Sequence, residues 1–309
     1  MSAKKWTTAD IPSQAGRLAI ITGSNSGIGF QAAKELARAG ATVILACRNA
    51  QKADEAKNKI IQEIPHAKIE VGSLDVADLK SVREFAKKFI ASDRELDLLI
   101  NNAGIMAYFD RKVSPDGFEM QFATNHLGHF ALTGLLLPAL LSTTGSRVVS
   151  VASLAHRSGT MYFNDLQFEK KYTSWAPYAQ SKLSNILFAL ELSRRLKILS
   201  ANVESLAVHP GLSDTQLGAN GPGSKNKILN VVAKAVSSLI GQSEEQGALP
   251  TLRAATDLSA KGGEYYGPSG FFEWRGSPVK VPCTSEASSH EVAAKLWKMS
   301  EELTKVRYL

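Results

Sequence analysis

Short aliphatic and β-branched runs recur along this chain, and each is followed by a longer stretch with helical periodicity. The runs are LAIIT (18–22), TVILA (42–46), KIEVG (68–72), DLLIN (97–101), RVVSVAS (147–153) and NVESLAV (202–208). Between them lie GIGFQAAKELARAG (27–40), a helical pattern over 49–64 stopped by Pro65, one capped by Asp78 and reaching about residue 91, and longer ones over 116–141 and 177–199. Strands separated by whole helices cannot pair as hairpins; they pair in parallel, through crossovers. Such runs are apolar on both sides because both sheet faces are covered. The pattern therefore predicts an α/β fold, a Rossmann-type doubly wound parallel sheet with helices on both faces. The segment 211–247 reads as an excursion forming a small lid, the sheet is regained at Glu264–Gly267, and a helix over 288–303 closes the fold. One domain over 1–309 is expected, its cofactor-binding half about 17–150 and its catalytic and substrate half about 151–309.

Composition narrows the function classes. The net charge of +7 comes from Lys and Arg scattered among acids, without the basic stripe of a nucleic-acid binder, so no nucleic-acid partner is expected. Cys47 and Cys283 lack metal-ligand spacing, and His126 and His129 have no third ligand near them. They read as packing or hydrogen-bonding residues, and no metal is expected. The polar N-terminus, MSAKKWTTADIPSQAG, has no apolar signal core, and the most apolar stretch, 126–141, is short and interrupted by histidine, glycine and proline. A cytoplasmic protein with no integral membrane segment is expected.

Four strand ends carry polar motifs where open α/β sheets bind ligands. After the first strand comes TGSNSGIG, in which Gly23, Ser24, Asn25, Ser26, Gly27, Ile28 and Gly29 form a glycine-rich turn into a helix. Such a turn lets backbone approach a pyrophosphate and aims the helix N-terminus at it. The second strand ends in ACRN with no carboxylate for a ribose 2′-hydroxyl, whereas Arg48 can pair with a 2′-phosphate. NADP(H) is therefore the expected cofactor. NNAG (101–104) follows the fourth strand and Ser153 ends the fifth. Tyr178 and Lys182 stand four residues apart, on one face of a helix.

Taken together and in order, Thr22-Gly23-x-x-x-Gly27-x-Gly29, Asp75, Asn101–Gly104, Asn125, Ser153, Tyr178-x-x-x-Lys182 and Pro210–Gly211 resemble the short-chain dehydrogenase/reductase superfamily across nearly the whole chain. The resemblance implies Tyr178 as general acid/base, with Lys182 lowering its pKa and binding the nicotinamide ribose. It implies Ser153 as the group that stabilises the substrate oxygen, and Asn125 as the holder of a water that leads to Lys182. It places Asp75 and Val76 at the adenine, Asn102, Ala103 and Gly104 beside the cofactor, and Pro210 and Gly211 over it. ACRN, TNHLGHFALTGLLL and GEYYGPSG are similar to the retinol dehydrogenase-like branch, which is related to the protochlorophyllide reductases.

The reaction implied is hydride transfer between NADP(H) and an apolar aldehyde, ketone or alcohol, retinal-like or another hydrophobic carbonyl. A protochlorophyllide-type C=C reduction and a non-catalytic NADPH sensor are the alternatives. The candidate pocket residues are Ile105, Met106, Leu154, His156, Trp175, Leu212 and Leu217. Family members often pair through the helices corresponding to 116–141 and 177–199, while others are monomers, so a homo-oligomer and a monomer both fit.

Overall fold

The computed structural model describes residues 5–106, 108–212 and 241–309. Seven strands, β1 (Leu18–Thr22), β2 (Thr42–Cys47), β3 (Lys68–Ser73), β4 (Leu98–Asn101), β5 (Ser146–Val151), β6 (Val203–Val208) and β7 (Tyr265–Pro268), run parallel. A short antiparallel β8 (Pro278–Lys280) completes one sheet of order β3-β2-β1-β4-β5-β6-β7-β8. The helices, numbered over the described residues, are α1 (Gly27–Arg38), α2 (Ala50–Glu63), α3 (Leu79–Ile90), a single turn α4 (Met120–Phe122), α5 (Gly128–Leu141), α6 (Ala176–Ile198), α7 (Glu244–Thr256) and α8 (His290–Thr304).

The apolar runs are divided between the two faces by parity, as strand geometry requires. Ala19, Ile21, Val43, Leu45, Leu98 and Ile100 pack with α1, α2 and α7, whereas Leu18, Ile20, Ile44, Ala46, Leu99 and Val148 pack with α3, α5 and α6. The expected doubly wound sheet is therefore present. Because β1 and β4 are neighbours, their crossovers leave on opposite faces, and a crevice opens between their C-terminal ends.

Three details differ from the sequence reading. The helix expected over 116–141 begins at Met120 and passes through a π-turn at Ala123–Leu127, where Gly128 N–H reaches back to Ala123 O. Asn125 sits inside that turn, a distortion common at functional sites. Helix α7 occupies part of the region read as a lid; Gly247 and Pro250 hide its periodicity, while Ser243 caps it through Gln246 N–H and Glu244 and Glu245 complement its dipole. Strand β8 is too short to show a period of two. Leu217 lies outside the described residues.

Candidate active site

The loop after β1 is set by what surrounds it. Gly23 has φ +64°, and a Cβ there would lie 2.9 Å from Ala103 Cα, so only glycine lets the β1 and β4 loops touch. A Cβ on Gly29 would run into the Asn102 amide, which donates to Thr22 O at 2.8 Å. Ser24 Oγ donates to Ile21 O at 2.8 Å, and Ile28 is buried in the core. Asn25, Ser26 and Gly27 stay half-buried at the start of α1, and the Ser26 side chain makes no cap bond. The first amides of α1 thus face the crevice, a cradle suited to a pyrophosphate.

At the end of β2 the Arg48 side chain is 75% exposed and rests 3.6 Å from the Asp75 carboxylate. Asp75 is itself held, with Oδ1 accepting from Ala77 N–H at 2.9 Å. Val76 is buried, its carbonyl packed against Gly128.

Four residues meet at the β4, β5 and α6 ends. Tyr178, in the first turn of α6, is 5% exposed. Burial pushes its hydroxyl above the ordinary phenol range, and the neighbouring Ser153 side chain opposes the shift. Lys182, one turn on, is 4% exposed, and its Nζ donates to Val151 O at 3.2 Å. Burial pulls it down to about 8. Asn185 Nδ2 donates to the same carbonyl at 3.0 Å. A Cβ on Gly104 would sit 3.3 Å from both Lys182 Nζ and Asn125 Oδ1, so Gly104 floors a space walled by those two residues. Ser153 Oγ accepts from Ala155 N–H at 3.2 Å, which leaves its own proton free to donate.

The Asn125 amide is fully engaged. Its Oδ1 accepts from Ile105 N–H (2.9 Å), and its Nδ2 donates to Ile105 O (3.0 Å) and Ser181 Oγ (2.8 Å). Ile105, Met106 and Leu154 are half-buried nearby, Met106 packing against Tyr178. Trp175 stands at the rim, 49% exposed, with its ring 5.6 Å from that of Tyr178. His156 is placed elsewhere: it is fully buried, and its Nδ1 donates to Ser153 O at 2.7 Å. Leu212 is 41% exposed beside Pro210 and Gly211.

Sequence reasoning did not single out the bonds that hold this site together. Gly211 N–H donates to His209 Nδ1 (3.2 Å), which leaves the proton on Nε2 to bond Glu273 Oε2 (2.9 Å). Arg157 pairs with the other Glu273 oxygen at 2.6 Å. Ser181 and Asn185 belong to the Y-x-x-S-K-x-x-N pattern shared with the protochlorophyllide reductases, and their spacing puts them on the inner side of α6. Among the described residues no cluster of His, Cys, Asp and Glu could hold a metal, and no helix is long and apolar enough to cross a membrane.

Residues 17–224 match the short chain dehydrogenase family. The chain is a short-chain dehydrogenase. Its relatives place it in the retinol dehydrogenase-like branch of that family. It is 41% identical over 291 residues to human (Homo sapiens) retinol dehydrogenase 13, covering 93% of this chain and 84% of that one. It is 38% identical over 304 residues to retinol dehydrogenase 12 of Mus musculus, covering 98% and 90%. A crystal structure of an uncharacterised protein from Mycobacterium Paratuberculosis superposes with TM-score 0.80 at 41% identity, covering 99% of this chain and all of that one. Another, from Beutenbergia cavernae, is described as an NAD(P) dependent gluconate 5-dehydrogenase with bound NADP; it has TM-score 0.62 at 25% identity and covers 82% and 95%. This short-chain dehydrogenase is accordingly an oxidoreductase that acts on CH–OH or C=O groups with a nicotinamide cofactor.

Proposed function

We propose that this short-chain dehydrogenase transfers a hydride between NADP(H) and an apolar aldehyde, ketone or alcohol, with Tyr178 as the proton donor and acceptor. The observation that carries the reading is the buried Tyr178 hydroxyl, beside the Ser153 side chain and set one helical turn before Lys182. When bound, the reduced nicotinamide supplies the hydride at its C4. The cradle of Gly23–Gly29 would hold the pyrophosphate, Asn102–Gly104 and Lys182 would hold the nicotinamide ribose, and Pro210, Gly211, Asp75 and Val76 would complete the nucleotide's contacts.

The preference for NADP(H) rests on Arg48. Its contact with Asp75 is a long, exposed ion pair, which is weak and readily exchanged for a 2′-phosphate. During reduction Ser153 donates a hydrogen bond to the substrate oxygen and Tyr178 gives up its proton to that oxygen. A positive Lys182 favours the resulting phenolate, offsetting the burial that otherwise resists it. The Asn125 amide is already occupied, so any help it gives Lys182 through water falls to its peptide carbonyl. Ile105, Met106, Leu154 and Trp175 provide an apolar rim, which suits a hydrophobic carbonyl such as retinal.

The test is NADPH consumption with apolar aldehydes and ketones, retinal included, alongside Tyr178→Phe. The variant is expected to keep NADPH affinity and lose at least ~100-fold in turnover. Wild-type turnover in Tyr178→Phe, or activity on C=C but not C=O substrates, would overturn the reading.

A further inference from the structure

His129 lies one turn after Asn125 on α5, 2% exposed, between the nucleotide loops and the catalytic helix. Its Nδ1 is 3.1 Å from Asn125 O, a carbonyl that can only accept, so Nδ1 carries the proton. Its Nε2 is 2.9 Å from Thr22 Oγ1. With Nε2 unprotonated, the Thr22 hydroxyl must donate to it; the other acceptor in reach, Ile100 O, is farther away at 3.4 Å. Thr22 Oγ1 then accepts from both Asn102 N–H and Ala103 N–H, each at 2.9 Å. One hydroxyl thereby ties the end of β1 to the loop after β4.

The chain of bonds continues in the other direction. Asn125 grips Ile105 and donates to Ser181 Oγ, which donates to Tyr178 O at 2.8 Å. Every link is satisfied and points one way, a condition under which buried hydrogen bonds reinforce each other. Burial also pulls His129 down to about 4, so it stays neutral, as both contacts require, across the working pH range.

We infer that His129 is a positioning residue which couples the nucleotide-holding loops to the Asn125 peptide, its Nε2 side setting cofactor affinity and its Nδ1 side setting turnover. Nothing in the assignment needs His129 to touch substrate or cofactor. It rests on the functional reading above, because it presumes that a nicotinamide nucleotide sits in this crevice.

Two near-isosteric variants separate the sides. In His129→Asn the amide nitrogen replaces Nδ1 against Asn125 O, and Thr22 loses its acceptor. In His129→Gln the side chain reaches Thr22, and Asn125 O loses its imidazole donor. Losing one buried hydrogen bond of about 1.4 kcal/mol corresponds to about tenfold. His129→Asn is therefore expected to bind NADPH about tenfold more weakly in a fluorescence titration, with kcat near wild type at saturating NADPH. His129→Gln is expected to keep the NADPH Kd and lose about tenfold in kcat on the aldehyde that wild type reduces best. Equal losses in both measures for both variants would mean that the ring only fills space, and no change in either would mean that the contacts are idle; both results overturn the inference alone. A wild type that neither binds NADPH nor turns over would overturn the functional reading, and this inference with it.

Discussion

The buried Lys182 ammonium pairs with no carboxylate among the described residues, and that arrangement has a measurable cost. It is 4% exposed, bonds one carbonyl, Val151 O, and is pulled from 10.5 to about 8 by burial. A drop of that size corresponds to about 3 kcal/mol of destabilisation of the charged form. The unfolded chain keeps the ordinary lysine value. Below about pH 8 both states are protonated, and the folded state carries the whole cost. Between about 8 and 10.5 the unfolded state holds the proton and the folded state does not, so stability rises with pH.

Lys182→Met replaces the side chain by an apolar one of similar length, and Val151 O keeps its bond from Asn185. The variant is expected to be more stable than wild type by about 3 kcal/mol at pH 7, the gain shrinking toward zero as the pH nears 10.5. The assay is urea unfolding of both proteins, without nucleotide, at several pH values, with the difference between the two curves taken so that other titrations cancel. A variant less stable at neutral pH, or a gain that does not change with pH, would refute the reasoning. On the proposed role of Lys182 the same variant should also lose its turnover, a gain in stability set against function.

Arg48→Asp should reverse cofactor preference: NADPH affinity falls at least tenfold and NADH affinity holds or improves, read by titration with each nucleotide, and an unmoved ratio would assign the 2′-phosphate to another residue. Gly29→Ala should weaken NADPH binding by at least ~10-fold, because its Cβ displaces the Asn102 amide from Thr22 O; unchanged affinity would show that the loop yields freely. Glu273→Gln removes the charge that pairs with Arg157 and should raise the KM for NADPH several-fold by loosening His209 and Gly211, with kcat little changed; an unaltered KM would make the cluster independent of the cofactor cleft.

The sheet could be read in the sequence because parity and crossover length act locally. Leu18 to Ile21 and Val43 to Ala46 are apolar throughout for a reason visible in the letters themselves, namely two covered faces. The polar motifs at the strand ends were visible for the same reason, since each lies within a few residues of its strand. What could not be read are the elements whose cause lies elsewhere in the chain. The π-turn at Asn125 has no period of its own, and α7 forms despite Gly247 and Pro250 because its small residues pack against α1 and the sheet. His129 reads as a packing or hydrogen-bonding residue, but its partner is hidden: Thr22 is 107 positions away, and only the closed sheet brings them to 2.9 Å. His209 and Glu273, 64 positions apart, are the same case. His156, expected on the pocket wall, lies beneath Ser153, because a spacing of three in a tight turn points the ring inward.

Leu212 and Gln242, far apart in the sequence, are bonded to each other. Gln242 N–H donates to Leu212 O at 2.8 Å, and its side chain bridges Pro210 O (2.6 Å) and Gly276 N–H (3.2 Å). Leu212 N–H is in turn held by Trp274 O at 2.8 Å. The two ends thus form a socket closed by bonds among the described residues. Closing a longer or shorter insert across such a socket changes the cost only logarithmically, about 0.6 kcal/mol for each doubling of length. Sequences of different length joined at Leu212 and Gln242 therefore close at nearly the same entropic cost, which makes this pair of ends a natural place for the chain's length to vary.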